Sequence, residues 1–133
     1  MPVLYIIRGL PGSGKSTIAT DLIDLGSVDV HFEADMYHMI DGEYKWKPEN
    51  VKPSHDWCFN QTVKNLHLGR SVVVSNTFTT WKEVAPYVNL AHELNVELKI
   101  ITCLGNYGNV HSVPEETMKK MAARFESQFT WTY

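Results

Sequence analysis

Arginine is scarce in this chain: only Arg8, Arg70 and Arg124 occur in 133 residues, and the formal net charge is −3. No global basic field draws such a protein to nucleic acid or an anionic membrane, so any polynucleotide has to be held locally. Cysteine is equally sparse. Cys58 and Cys103 make neither a metal spacing nor a disulfide framework, and reduced, packed thiols in a cytoplasmic protein are the expectation. Apolar runs stop at four or five residues, far short of a membrane span. The apolar stretch within residues 1–10 leads into a glycine loop with no cleavage-like site, so no leader and no membrane partner are expected. Repeats and low-complexity segments are absent too.

What remains is an ordinary globular composition, 44% hydrophobic and 20% charged, in a length expected to form a single domain over 1–133. Val3 to Ile7 and Val72 to Val74 are continuous apolar runs, the pattern of strands covered on both faces. Val28, Val30 and Phe32 alternate with polar residues, as do Val96, Leu98 and Ile100, the pattern of half-covered edges. Helical spacing appears over residues 15–25, from an N-cap at Ser54 to Gly69, around Trp81 to Ala91 with Pro86 inside, and after Pro114 with Met118, Met121, Ala122 and Phe125 as the buried side. Residues 40–53 read as a surface excursion, and the 128–133 tail is left open between a fifth strand, a docking segment and a frayed end. The β-α-β-α-β-α-β-α order predicts an α/β fold with a parallel sheet of at least four strands, helices on both faces and strand order 2-3-1-4.

Gly9-x-x-x-x-Gly14-Lys15-Ser16 follows the first strand and opens the first helix, the context in which this spacing makes a phosphate-binding loop. Glycines let successive backbone N–H groups converge on phosphate oxygens at the positive end of the helix. The candidate nucleotide contacts are Gly9, Pro11, Gly12, Ser13, Gly14, Lys15, Ser16 and Thr17. Lys15 is expected on the β/γ-phosphates, Ser16 on Mg²⁺ and Thr17 near the α-phosphate.

Ligands of open parallel sheets sit beyond the carboxyl ends of the strands. That rule gathers Glu33-Ala34-Asp35, Ser75-Asn76-Thr77 and the segment 105–109 around the loop. Asp35 is the candidate general base toward an acceptor hydroxyl, with an outer-shell Mg²⁺ role or an N-cap as its alternatives. Glu33 ranks below it, because alternation puts it opposite Phe32. His38 is either a substrate contact or a solvated loop residue, and Asn76 and Thr77 are either substrate contacts or turn residues. Trp46, among Lys45, Lys47 and Lys52, is either a stacking ring for single-stranded nucleic acid or a side chain tucked onto the core. Arg124 is either a nucleotide contact or part of a solvated helix face. The end of the third strand lacks the acid that P-loop proteins commonly place there for the metal.

With "RGLPGSGKST", "FEADMY", "VVVSNTF" followed by Pro86-Tyr87, and "NVHSVP" leading to "RFE", the chain resembles the polynucleotide-kinase-like branch of P-loop proteins over most of residues 3–127. The resemblance implies a three-layer αβα sandwich, ATP and Mg²⁺ on Gly12 to Thr17, and an acceptor hydroxyl on Asp35. It also implies a lid with paired arginines before "NVHSVP", where this chain has Tyr107 and Gly108. Two functions follow. One is a kinase acting on a polynucleotide 5′-hydroxyl, a nucleoside or another small alcohol. The other is an ATPase or nucleotide-dependent binding module whose protein partner supplies an arginine.

Overall fold

The computed structural model describes residues 2–105 and 115–125. Its element order is β1 (Val3–Gly9), α1 (Lys15–Asp24), β2 (Val30–Phe32), β3 (Met39–Ile40), β4 (Glu43–Tyr44), α2 (Val51–His67), β5 (Val72–Asn76), α3 (Trp81–Glu93), β6 (Glu97–Cys103) and α4 (Glu115–Arg124). Short 3₁₀ turns at Ala34–His38 and Pro48–Asn50 join β2 to β3 and β4 to α2. Four strands form a parallel sheet in the order β2-β5-β1-β6. This is the expected 2-3-1-4 order, written around the β3-β4 hairpin.

Strand composition explains the order. Val72, Val73 and Val74 of β5 and Leu4, Ile6 and Ile7 of β1 are fully buried, so both central strands are covered on each face. In β1, Leu4 and Ile6 join Val72 and Val74 under α2 and α3, through Cys58, Leu66, Val84 and Val88. Ile7 and Val73 turn the other way, onto Ala19 of α1. The result is the three-layer αβα sandwich that the resemblance implied.

Several local expectations change. α2 starts at Val51 rather than at a Ser54 cap, because the 3₁₀ turn feeds it and Pro53 lies in the first turn, where no intrahelical N–H is needed. Ser54 instead donates its hydroxyl to Val51 O at 2.6 Å. The surface excursion holds the two-stranded hairpin, whose turn residues Asp41 and Gly42 have φ of 52° and 80°. No α4 residue is buried, and Ala122 is exposed rather than packed. Pro114, the 106–109 segment with Tyr107 and Gly108, and the 128–133 tail lie outside the described residues.

Candidate active site

β1 delivers the chain into the loop, and α1 leaves it. Gly12 and Gly14 take φ of 80° and 96°, a left-handed backbone that turns the N–H groups of the loop inward. Gly9 is required by contact rather than by φ: a Cβ there would stand 2.3 Å from Ser13 Oγ and 2.8 Å from Cys103 O. No side chain caps α1 and its first turn holds no acid, so its leading N–H groups are left for another acceptor. Ser13 Oγ is buried without a partner as well. A compact cradle with orphaned donors at a helix start fits a polyphosphate.

Lys15 Nζ donates to Leu10 O at 3.0 Å, folded back over the loop. Burial lowers its pKa from the ordinary 10.5, while Glu33 pulls it upward, with smaller pulls from Cys103 and Asp35. Two carboxylates thus face the lysine across one cavity of about 1200 Å³, which the loop, Glu33, Asp35, Ser75 and Thr77 all line. Ser16 and Thr17 are exposed at its edge.

Asp35 sits in the turn after β2. Asn76 holds that turn in place by accepting the Ala34 N–H on Oδ1 at 2.8 Å, while its Nδ2 meets Cys58 Sγ at 3.8 Å. Asn76 is thereby a buried brace, although it borders the cavity. Tyr44, carried in by the hairpin, donates its hydroxyl to Asp35 Oδ1 at 3.1 Å. Partial burial and the Asp35 charge push the Tyr44 phenol up to about 12, so it stays a donor.

The alternation that sets Glu33 below Asp35 on the sequence works in its favour in the fold. Alternation sends Phe32 toward Trp57 of α2 and Glu33 to the opposite face, the one that carries the phosphate loop and α1. There Ser75 Oγ donates to Glu33 Oε2 at 3.2 Å, and His31 Nε2 lies 2.6 Å from the same hydroxyl. Since Ser75 spends its one proton on Glu33, His31 is the donor, in its Nε2–H form. Burial holds the His31 pKa below its ordinary 6.5 against the pull of Glu33. A carboxylate thus stands beside the end of β5 after all, carried by the residue that follows β2. The sequence shows His31 and Glu33 alternating with Phe32, but nothing local in it puts Ser75 beside them; that takes the pairing of β2 with β5.

The other expected residues divide. Thr77 lines the cavity, and its carbonyl accepts the Gly9 N–H at 3.2 Å. His38 lines it too, but as a buried residue rather than a solvated one, 3% exposed. Trp46 stands at the cavity and is 52% exposed, so it is not tucked onto the core. Arg124, expected either as a nucleotide contact or as part of a solvated helix face, is exposed and not among the residues lining the cavity, and its Nε donates to Thr79 Oγ1 at 3.1 Å. Arg8 is fully buried and donates to Phe78 O at 3.0 and 2.9 Å, while Arg70 donates to Asn65 Oδ1 at 3.0 Å. Among the described residues, no arginine lines the cavity.

The sheet order, the glycine cradle and the carboxylates opposite Lys15 define a P-loop protein of the nucleotide-binding, kinase-like class. A family model described as an AAA domain matches residues 4–106, and the chain belongs to that family. It is 28% identical to human NEDD4-binding protein 2 over 134 aligned positions, which span 93% of this chain and 8% of that protein. An uncharacterized protein of Pasteurella multocida (strain Pm70) is 27% identical over 91% of this chain and 75% of its own. Among solved structures, a chain of the Pnkp1/Rnl/Hen1 complex superposes with a TM-score of 0.65 at 21% identity, covering 98% of this chain and 42% of that one. A gluconokinase from Sinorhizobium meliloti 1021 gives a TM-score of 0.61 at 17% identity, over 94% of this chain and 75% of its own. At such identities these structures share the fold alone.

Proposed function

We propose that this chain, read as one domain over 1–133, is a Mg²⁺-dependent phosphotransferase that moves the γ-phosphoryl group of ATP to a hydroxyl acceptor, either a polynucleotide 5′-hydroxyl or a nucleoside-like alcohol. The observation that carries this reading is Asp35, a fixed carboxylate on the same cavity wall system as the phosphate loop. The loop amides and Lys15 would hold the nucleotide phosphates, with Lys15 leaving Leu10 O for a better acceptor. Ser16 would hold Mg²⁺, with Asp35, Glu33 and Ser75 placed for its water ligands, and the ion would neutralise charge on the phosphates. Asp35 orients the acceptor hydroxyl and takes its proton as the new O–P bond forms and the bond to ADP breaks. Tyr44 keeps that carboxylate aimed.

A second reading, hydrolysis or nucleotide-dependent binding with an arginine supplied by a protein partner, is favoured by one observation. Arg8, Arg70 and Arg124 are all engaged away from the cavity. The pair of free, buried thiols suits a reducing compartment and supports a cytoplasmic location. No helix among the described residues is long and apolar enough to cross a membrane.

The test is γ-phosphate transfer from labelled ATP with Mg²⁺, offering 5′-hydroxyl DNA and RNA oligomers, nucleosides and simple sugars. Label on an acceptor is the expected result. Label released only as free phosphate replaces the kinase with the second reading.

A further inference from the structure

The cavity is larger than the phosphate loop needs, and its far wall is aromatic. His38 lines it while only 3% exposed, yet among the described residues its imidazole makes no hydrogen bond and Nδ1 is buried without a partner. A buried polar ring left unpaired is costly unless something that binds there completes it. Among the described residues three rings stand near it, Tyr44 at 6.0 Å, Tyr37 at 6.2 Å and Trp46 at 6.5 Å between centroids. Two of those, Trp46 at 52% and Tyr44 at 45%, expose large rings that a settled core would cover.

The hairpin makes this wall one piece with the candidate base. Lys45 N donates to His38 O at 2.8 Å, tying the strand that leads to Trp46 onto the end of the Asp35 turn. Tyr44, one residue earlier, bonds Asp35 itself. An acceptor whose hydroxyl reaches Asp35 therefore places its next few atoms against Tyr44, His38 and Trp46.

We propose that His38, Tyr44 and Trp46 form a nucleobase site that receives the terminal base of a hydroxyl-ended single strand, and so select that acceptor over sugars and small alcohols. The inference rests on the phosphotransfer reading, which it narrows. A base offers what this wall lacks: a flat apolar face for the exposed indole, and edge donors and acceptors for an imidazole with none. A sugar presents no such face, and a duplex end keeps its base stacked in the helix. Lys45 and Lys47 flank Trp46 in the sequence, although Lys45 Nζ stands 3.8 Å from Glu43 Oε2, so Lys47 is the cation left to meet a strand's phosphates.

The experiment measures binding, separately from transfer, with a short fluorescent 5′-hydroxyl DNA oligomer and the same oligomer abasic at its first position. The parent is expected to bind the intact strand better. Trp46→Ala weakens the intact strand roughly 5- to 150-fold, leaves the abasic one unchanged, and keeps the parent's ATP affinity. Trp46→Phe, which retains a stacking face, recovers most of the loss. His38→Gln covers the chance that a smaller residue at this buried position disturbs folding, and should show a loss confined to the intact strand. Equal affinity of the parent for the two strands, no binding of either, or no effect of Trp46→Ala overturns the site. The two readings fail separately. Base-dependent binding with no label transferred removes the kinase and keeps the site; transfer as fast to an abasic strand or a sugar keeps the kinase and removes the site.

Discussion

Gly9 shows how tightly single positions constrain this site. Its Cβ would meet Ser13 Oγ, which can rotate, and the Cys103 carbonyl at 2.8 Å, which is sheet backbone and cannot. Gly9→Ala is expected to cost about 1–3 kcal/mol by urea denaturation and to weaken ATP binding with it. Unchanged values in both would mean that the loop does not lie against β6 as described. His31 sets a pH dependence. Its pKa lies below 6.5 in the fold, so between the folded value and 6.5 the unfolded chain binds more protons. Stability therefore rises with pH through that window, and the penalty is complete below the folded pKa. His31→Gln is expected to flatten this acid-side loss in denaturation curves collected from pH 7 down to pH 5. At this scale the phosphate loop was legible from its own spacing, and the place of Asp35 on the cavity wall followed from its position just after a strand of the sheet. The Glu33–Ser75–His31 network was not, because it exists only where the register of β2 on β5 brings two distant segments together.

Elements were read correctly where burial dictates pattern and missed where it does not. The runs in β1 and β5 announced central strands, and the alternation in β2 and β6 announced edges. The β3-β4 hairpin escaped because Met39, Ile40, Glu43 and Tyr44 are all exposed, leaving no inside-outside contrast. Its real signal was Asp41-Gly42, a pair suited to the positive φ values of a tight hairpin turn. The last helix forms where its spacing places it, but without the expected buried side: Met118 and Met121 are half-buried and Ala122 is exposed. α3 is anchored by a capping box, with Glu83 accepting the Thr80 N–H at 2.8 Å and the Thr79 hydroxyl at 2.7 Å. Thr79 also receives Arg124, so one carboxylate holds both the start of α3 and the hydroxyl that tethers α4. Glu83→Ala is expected to cost about 0.5–2 kcal/mol, seen as a lower urea midpoint at unchanged slope. An unaltered midpoint would show that the cap adds nothing.

The whole molecule is a sandwich whose two central strands end at one cavity, and ligand binding there should be felt as global stability. MgATP at about 100 times its dissociation constant is expected to add about 2.7 kcal/mol to unfolding, through mass action alone. Lys15→Ala should lose most of that increment at the same ATP concentration, read as a smaller thermal shift; a full shift in the variant would detach Lys15 from the nucleotide. The sandwich is shared with kinases of unlike acceptors, a gluconokinase among them, so the fold cannot choose the acceptor. The proposed base site puts that choice on the cavity wall opposite the loop. The chain also spans only 8% of the human relative and 42% of the Pnkp1/Rnl/Hen1 chain, leaving the rest of those proteins outside the likeness. The most direct measurement is the initial rate of γ-phosphate transfer to a 5′-hydroxyl oligomer by Asp35→Asn and by the parent, both at saturating MgATP. A roughly 10²- to 10⁴-fold slower variant that still binds ATP like the parent is expected of a general base. Equal rates, or no transfer by the parent, would contradict phosphotransfer by way of Asp35.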